Sequence, residues 1–125
     1  MIRTGIGYDT HKLVKGNKLI VGGVLIPSNY KSVGHSDGDS LIHAIVDSIL
    51  GAANLGDIGK HFPDTEEKYK GIDSKVLLYK VLDLVKEKKY RISNIDVTIL
   101  LQKPKLRDHF NSMRATLSNI MEIDI

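Results

Sequence analysis

HSDGDSLIHAIVDSILGAANLGDIGKHFPDT, residues 35–65, is the stretch that decides the fold. Apolar side chains recur in its first half at helical spacing, which predicts a helix that begins near residues 36–39 and ends at about Asn54. Ser36 and Asp39 form an imperfect capping box at its start. The following residues, 56–72, hold three glycines, a proline and many charges, so we expect a long loop of the kind that often carries function. The apolar positions of the helix are Leu41, Ile42, Ile45, Val46, Ile49 and Leu50.

The segments on either side of this stretch predict further strands and helices. Residues 2–9 (IRTGIGYD) contain two glycines and predict a strand with close backbone neighbours. Residues 18–26 (KLIVGGVLI) are rich in Val and Ile and predict a second strand. The other expected elements are polar loops at 11–17 and 29–38, a helix from Asp73 or Ser74 to about Lys89, a strand at 94–101 and a helix at 106–121. This order predicts an α/β sandwich of two layers.

The composition narrows the class of protein. The chain has 125 residues, of which 42% are hydrophobic, so we expect one globular domain with an ordinary core. It contains no cysteine, which excludes disulfides and every cysteine-based metal site, and any metal must be held by His nitrogen and carboxylate oxygen. The net charge of +3 is spread along the chain and indicates no nucleic-acid patch. With no membrane span or signal peptide in the sequence, we expect a soluble cytoplasmic domain.

Two segments supply a candidate set of metal ligands. Asp9 and His11 are two residues apart at the end of the first expected strand, so both side chains lie on one face. His43 lies on the central helix, and the three together match an open catalytic zinc site with two imidazoles and one carboxylate. Asp47, one turn further on, is a candidate to orient an imidazole. The alternative is that Asp39, His43 and Asp47 form a solvent-facing stripe with a satisfied His–Asp pair.

The start of the central helix is a candidate phosphate site. Free backbone N–H groups and the positive end of the helix dipole favour an anion there, and His35 and Ser36 could both donate to its oxygens. The alternative is simple capping of the helix by Ser36 and Asp37.

Two later segments carry candidate substrate contacts. Asp57-Ile58-Gly59 and Phe62-Pro63-Asp64-Thr65 lie in the long loop, where a carboxylate can accept hydrogen bonds from substrate hydroxyls; the alternative is turn chemistry. Lys105 follows Pro104 between a strand and a helix, where ligand crevices commonly form; the alternative is a solvated lysine.

Three motifs in this order resemble one family. YDTH at 8–11, the stretch 35–65 and DVTILLQKPKL at 96–106 are similar to the 2-C-methyl-D-erythritol 2,4-cyclodiphosphate synthase family of the non-mevalonate isoprenoid pathway. The resemblance implies an α+β fold with a mixed sheet, similar to the trimeric chorismate mutase type, and a homotrimer with active sites between subunits. It implies zinc, or another divalent ion, on Asp9, His11 and His43. The substrate contacts that it implies are His35, Ser36, Asp57, Ile58, Gly59, Phe62, Asp64, Leu101, Pro104, Lys105 and Leu106.

The resemblance also implies a reaction. 4-Diphosphocytidyl-2-C-methyl-D-erythritol 2-phosphate would cyclise to 2-C-methyl-D-erythritol 2,4-cyclodiphosphate with release of CMP, by an intramolecular phosphoryl transfer. Family chains continue beyond the position of Ile125 with a strand that carries Thr-Thr-Glu and a further helix and strand. We therefore expect residues 1–125 to form a single domain that is C-terminally incomplete relative to the family. A second ion, Mg²⁺ or Mn²⁺, has its ligand in that further segment. The alternatives are a zinc-dependent phosphohydrolase and a non-catalytic ligand-binding homologue.

Overall fold

Two short antiparallel ladders form the β-structure of the computed structural model, which describes residues 1–125. Strand β1 (Leu13–Lys15) pairs antiparallel with β4 (Tyr30–Ser32), and β2 (Leu19–Val21) pairs antiparallel with β3 (Val24–Ile26). Gly22 and Gly23 connect β2 to β3 with φ angles of 61° and 75°. A two-residue turn with positive φ at both positions matches the twist of a hairpin and favours glycine, so this Gly-Gly pair divides the expected strand 18–26 in two.

Helix α1 (Ser40–Ala52) is the centre of the molecule. The side chain of Asp39 accepts a hydrogen bond from the backbone N–H of Ile42 and thereby caps the helix, so the cap is Asp39 rather than Ser36. The apolar periodicity of the sequence places one face of α1 in the core, as predicted. Its buried residues are Leu41, Ile42, His43, Ile45, Val46, Ile49 and Leu50.

Three further helices complete the core. Helix α2 (Ile58–His61) is a single turn, α3 (Ser74–Glu87) packs on α1, and α4 (Phe110–Met121) packs on α3. Eighteen buried residues from α1 and the adjoining Ala53, α3, α4, the β2–β3 hairpin and Leu106 form one hydrophobic cluster. A fully buried Leu or Val contributes about 1.5–3 kcal/mol through the hydrophobic effect, so this cluster is the main stabilising feature. None of the helices is both long enough and apolar enough to cross a membrane.

The expected strands at 2–9 and 94–101 are not formed. Both segments lie outside the regular secondary structure, and no backbone–backbone hydrogen bond involves either of them. The alternation at 94–101 does place Ile95, Ile99 and Leu101 against the core. A strand also needs a neighbour that pairs with its N–H and C=O groups, and neither segment has one in this chain. Leu100, on the other side, is 91% exposed.

The close backbone approach predicted for residues 2–9 is confirmed. A Cβ atom added to Gly5 would lie 1.9 Å from the carbonyl oxygen of Ser48, and one added to Gly7 would lie 1.8 Å from that of Ala44. Both distances are far inside van der Waals contact, so only glycine lets this segment lie flat on the backbone of α1. The N-terminal segment therefore reaches α1 by close contact, without strand pairing.

Other boundaries differ from those expected. The polar loops at 11–17 and 29–38 contain β1 and β4, and the long loop at 56–72 contains α2 and a 3-10 turn at Glu67–Tyr69. The helices expected at 73/74–89 and 106–121 are present as α3 and α4, the latter after a 3-10 turn at Arg107–His109. The fold is α+β as predicted; within this chain the strands pair only in two antiparallel, two-stranded ladders, so these residues alone form no mixed sheet.

Candidate metal centre

Asp9, His11 and His43 converge on one point. Each offers one ligand atom, and the three atoms lie within 4.8 Å of one another. Asp9 Oδ2 is 2.7 Å from His11 Nδ1 and 3.8 Å from His43 Nδ1. The two imidazole rings are 5.1 Å apart between centroids and tilted by 51°. The structure thus brings together the three residues whose types and spacing predicted a metal site.

Each ligand is positioned by the element that carries it. His43 lies on the buried face of α1. The Ser40 hydroxyl, at the start of the same helix, donates to the carbonyl of Asp9 over 3.1 Å and attaches the N-terminal segment to α1. His11 packs on Gly34, where an added Cβ would lie 3.2 Å from the ring atoms Nε2 and Cδ2. A glycine at position 34 therefore leaves the space that the His11 ring occupies.

The donor set fits a divalent ion. Asp9 Oδ2 and His11 Nδ1 are buried and have no hydrogen-bond partner, although they are only 2.7 Å apart. Buried polar atoms are nearly always hydrogen-bonded, and these two are close enough for an ion pair but form no hydrogen bond with each other, as expected of two atoms that face a shared ligand. Two imidazoles and a carboxylate are a typical three-ligand set for catalytic zinc, which leaves the fourth position open.

The three groups hold different numbers of protons in the metal-free chain. Burial disfavours the charge of Asp9, but His11, Ser40 and His43 outweigh it and hold the pKa of Asp9 below its ordinary value. The Asp9 carboxylate raises the pKa of His11 above its ordinary value, against the opposing effect of burial. Burial lowers the pKa of His43, although Asp9 acts in the other direction. These directions favour a proton on His11 over one on His43 in the metal-free chain.

The far side of the His43 ring contacts two serine hydroxyls. His43 Nε2 is 2.9 Å from Ser74 Oγ and 3.0 Å from Ser36 Oγ. The Ser74 hydroxyl donates to Asp37, and the Ser74 backbone N–H donates to the other oxygen of the same carboxylate over 3.0 Å. Sequence reasoning missed Ser74 and Asp37 as neighbours of the site, because Ser74 lies 31 positions after His43 on another helix.

Asp47 does not have the predicted role of orienting an imidazole. Its Oδ1 accepts from the backbone N–H of Ile58 over 2.7 Å and so attaches the start of α2 to α1. The helical spacing from His43 to Asp47 is as predicted, but the free N–H at the start of α2 is the nearer partner of the carboxylate. The groups hydrogen-bonded to the His43 ring are Ser36 and Ser74.

His35 and Ser36, the predicted phosphate donors, lie on different sides of their loop. Ser36 lies beside His43, and its Oγ accepts from the backbone N–H of Gly38 over 3.3 Å. His35 Nε2 donates to the carbonyl of Glu66 over 2.8 Å, which joins this loop to the segment after α2. Of the two, Ser36 is the one that touches a metal-ligand side chain.

The predicted contacts in the long loop flank α2. Asp57 caps that helix by accepting from the Lys60 N–H over 2.9 Å, so the predicted turn chemistry is present at this residue. Gly59 and Asp64 are exposed, and Ile58 is half-buried. Phe62 packs edge-on against Tyr69, with ring centroids 5.4 Å apart. The loop thus presents Gly59 and Asp64 to solvent and holds Phe62 on an aromatic neighbour.

The predicted nucleotide-pocket residues lie in a separate segment. Leu101 lines a cavity of about 300 Å³ together with Gln102 and Lys103 and with Leu13 and Tyr30 of the β1–β4 ladder. Pro104 follows a cis peptide bond, Lys105 is exposed, and Leu106 is buried in the core. No hydrogen bond or ion pair within the chain joins Leu101, Pro104, Lys105 or Leu106 to the metal centre.

A small α+β fold with a converging Asp-His-His cluster is typical of a metalloenzyme of the zinc type. Comparison with known proteins identifies the family within this class. The YgbB family model matches residues 2–125, and the chain belongs to the YgbB family.

Curated relatives share one name. The chain is 56% identical over 124 residues to "2-C-methyl-D-erythritol 2,4-cyclodiphosphate synthase" of Alkaliphilus oremlandii, a match that covers 99% of this chain and 79% of that protein. It is also 56% identical to the protein of the same name from Clostridioides difficile, covering 99% of this chain and 77% of the relative.

Solved structures of similarly named proteins share the fold. A 2C-methyl-D-erythritol-2,4-cyclodiphosphate synthase in a CDP-bound form superposes with a TM-score of 0.92 at 38% identity, covering 98% of this chain and 81% of that chain. The CDP complex of IspF from Plasmodium falciparum superposes with a TM-score of 0.81 at 37% identity, covering 98% of this chain and 74% of that chain. The resemblance stated from the three motifs is confirmed.

Proposed function

We propose that this protein converts 4-diphosphocytidyl-2-C-methyl-D-erythritol 2-phosphate to 2-C-methyl-D-erythritol 2,4-cyclodiphosphate and CMP. The observation that carries the proposal is the convergence of Asp9, His11 and His43, with two unpaired ligand atoms, in a chain whose curated relatives are named for this product. The protein is thus an enzyme, a phosphorus–oxygen lyase.

The reaction is a phosphoryl transfer within one molecule. An oxygen of the 2-phosphate forms a bond to the β-phosphorus, the bond from that phosphorus to the bridging oxygen breaks, and CMP leaves with the bridging oxygen. The nucleophile is already an anion, so no serine, cysteine or activated water is required. The enzyme must bring two anions together that repel each other, and it must keep water away from the diphosphate.

The metal centre takes part in that task. Asp9, His11 and His43 would hold zinc, or another divalent ion. When bound, such an ion supplies positive charge that neutralises phosphate oxygens as charge moves in the reaction. The unpaired atoms of Asp9 and His11 support this assignment.

Residues around the centre would bind the rest of the substrate. We assign His35 and Ser36 to the attacking phosphate, because both carry groups that can donate to an anionic oxygen. Asp57 and Asp64 accept hydrogen bonds from the methylerythritol hydroxyls, since a carboxylate would repel a phosphate placed there. Ile58, Gly59 and Phe62 contact the same part of the substrate. The cytidine part is assigned to Leu101, Pro104, Lys105 and Leu106.

Assembly and location are proposed on the same family resemblance. We infer a homotrimer with active sites between subunits and a sheet of the trimeric chorismate mutase type, and a cytoplasmic location. Mg²⁺ or Mn²⁺ is proposed as a second ion, and no residue of this chain is assigned to it.

The test is a product analysis by phosphorus NMR. The chain is incubated with the substrate, Zn²⁺ and Mg²⁺, and we expect the signals of a cyclic diphosphate together with CMP. Open-chain phosphates would instead identify a hydrolase, and an unchanged substrate spectrum would identify a non-catalytic homologue.

A His43→Ala variant tests the metal assignment. We expect it to lose bound zinc and turnover together, because it removes one of three protein ligands. His109→Ala is the matched control, since His109 lies in the 3-10 turn before α4 and forms no side-chain hydrogen bond. Zinc content by atomic absorption and the rate of CMP release are measured on both. Full activity in His43→Ala would contradict the assignment.

A further inference from the structure

Ser74 is fully buried at the first position of α3, where its hydroxyl lies between the ring of His43 and the carboxylate of Asp37. Helix α3 contributes no residue to the metal cluster. Its first residue nevertheless touches one of the three ligands. The other hydrogen bonds of Ser74 determine which atom donates in this contact.

The carboxylate of Asp37 determines the direction of donation. Its two oxygens accept from the Asp39 N–H over 3.1 Å, from the Ser74 N–H over 3.0 Å and from the Ser74 hydroxyl. An ionised carboxylate accepts only, so the Ser74 hydroxyl must use its single proton toward Asp37.

The position of the proton on the His43 ring follows from this arrangement. Because the Ser74 hydroxyl has donated its proton to Asp37, its oxygen can only accept at the 2.9 Å contact with His43 Nε2. Nε2 therefore carries the N–H, and in a neutral imidazole the other nitrogen then has a free lone pair. That nitrogen, Nδ1, is the one that faces Asp9 at 3.8 Å.

We propose that Ser74 and Asp37 are positioning residues that hold His43 in its Nε2–H form and turn the Nδ1 lone pair to the metal. The inference rests on the metal centre proposed above. Partners of this kind fix the ring and the tautomer of a metal-ligating histidine, and their loss typically lowers metal affinity by about 10- to 100-fold.

The same network leaves one proton free for the substrate. Ser36 Oγ accepts from the Gly38 N–H and lies 3.0 Å from His43 Nε2, which already carries a proton. Within the chain that hydroxyl has only a long contact to another acceptor, Ser74 Oγ at 3.5 Å, so its proton can turn to an anionic oxygen. This separates the two serines: Ser74 orients the ligand, and Ser36 remains a donor for phosphate.

The experiment compares the wild type with Ser74→Ala, Ser74→Thr and Ser48→Ala. Ser48 is the matched control, because its hydroxyl donates to the carbonyl of Ile45 on α1 without contact to a metal ligand. Zinc affinity is measured by competition with a chromophoric chelator, and urea unfolding is measured on the same samples. We expect Ser74→Ala to bind zinc about 10- to 100-fold more weakly, Ser74→Thr to recover part of the loss, and Ser48→Ala to bind as the wild type does.

Long-range proton–nitrogen NMR of the metal-free protein gives a second readout. We expect the His43 ring to carry its proton on Nε2 in the wild type and to lose this preference in Ser74→Ala. An Nδ1–H ring in the wild type overturns the proposal even if Ser74→Ala does not fold. A folded Ser74→Ala that binds zinc as tightly as the wild type also overturns it. If the wild type itself binds no zinc, the metal centre fails, and the inference fails with it.

Discussion

At the scale of single residues, the two imidazoles of the centre differ although they lie side by side. His11 has a raised pKa because the Asp9 carboxylate is beside it, and His43 has a lowered pKa because it is buried. A metal ligand must be unprotonated. The lowered pKa of His43 favours this condition before metal arrives, whereas the raised pKa of His11 extends the pH range in which that ring must first lose a proton.

Zinc binding should release about one proton when the pH lies below the raised pKa of His11, and the release should fall toward zero as the pH rises through it. Apparent affinity should therefore increase with pH and level off above that pKa. Asp9 adds no second proton, because its pKa is lowered and the group is already ionised. Calorimetric titration with zinc in buffers of different ionisation enthalpy, at about pH 6 and about pH 8, measures this release. A release that does not change with pH would show that His11 is not a ligand.

Gly34→Ala tests how closely the His11 ring is held. The new Cβ would lie 3.2 Å from two ring atoms, so the ring must move by a few tenths of an ångström, and we expect zinc affinity to fall by about 10-fold. Gly51→Ala is the matched control, because no atom lies within 4 Å of its Cβ position on α1. That variant should gain about 1 kcal/mol in free energy of unfolding and bind zinc as before. Equal zinc affinity in both variants would contradict a tight fit at His11.

At the scale of elements, Asp39 joins the β2–β3 hairpin to α1. One carboxylate oxygen accepts from the N–H of Gly22 over 3.0 Å and of Ile42 over 3.1 Å, and the other accepts from Gly23 over 2.7 Å. Burial raises the pKa of Asp39 to about 6, against the effect of these three donors. The hairpin turn and the helix start thus share one buried side chain.

Asp39→Asn should lower the free energy of unfolding by about 1–3 kcal/mol at neutral pH, because an amide has one acceptor oxygen and turns its NH₂ group toward an N–H donor. The folded pKa of about 6 lies above the ordinary value of 3.8, so folding takes up a proton between these two values. The wild type therefore gains stability as the pH falls through that window, and the deficit of the variant should widen by up to about 3 kcal/mol.

Asp73→Asn is the control for this substitution. Asp73 caps α3 at the surface, where Asn and Asp are equivalent caps. We therefore expect the free energy of unfolding to change by only about 0.3 kcal/mol. Urea unfolding at both ends of the pH window gives the comparison. If the deficit of Asp39→Asn stayed constant with pH, the carboxylate would not titrate in that window.

At the scale of the whole molecule, two extended segments carry unpaired backbone and exposed apolar side chains. Ile2 and Ile6 are 92% and 91% exposed on one segment, and Leu100 is 91% exposed on the other. Single exposed apolar residues are ordinary, but exposed residues along an unpaired extended segment form a surface suited to pairing with another strand.

Hydrogen exchange measures the state of these segments. In a sample shown by sedimentation to be monomeric, amides of residues 2–9 and 94–101 should exchange much faster than those of α1, because they make no backbone hydrogen bonds. Slow exchange there would show that the backbone is paired. The helix α1 provides the internal standard in the same spectrum.

The spacing and types of neighbouring residues were sufficient to predict the central helix and the candidate metal ligands. The helical spacing in residues 41–50 predicted α1, and the types and positions of Asp9, His11 and His43 predicted a cluster that the structure brings together. Strand pairing at 94–101 could not be decided from alternation, because a ladder depends on a neighbour elsewhere in the chain. Ser74 was missed for a related reason: a serine at a helix start looks like an ordinary capping residue until the fold places it beside His43.

The glycine-lined contact of the N-terminal segment with α1 has a thermodynamic consequence. Asp9 and His11 belong to chain that few hydrogen bonds attach to the core, whereas His43 belongs to the core itself. An ion bound to all three would bridge positions about thirty residues apart in the folded chain, whereas the unfolded chain would first have to close that loop and so would bind the ion more weakly. Metal occupancy and protein stability would then be linked. Once the metal concentration exceeds the dissociation constant, the free energy of unfolding would increase with the logarithm of that concentration.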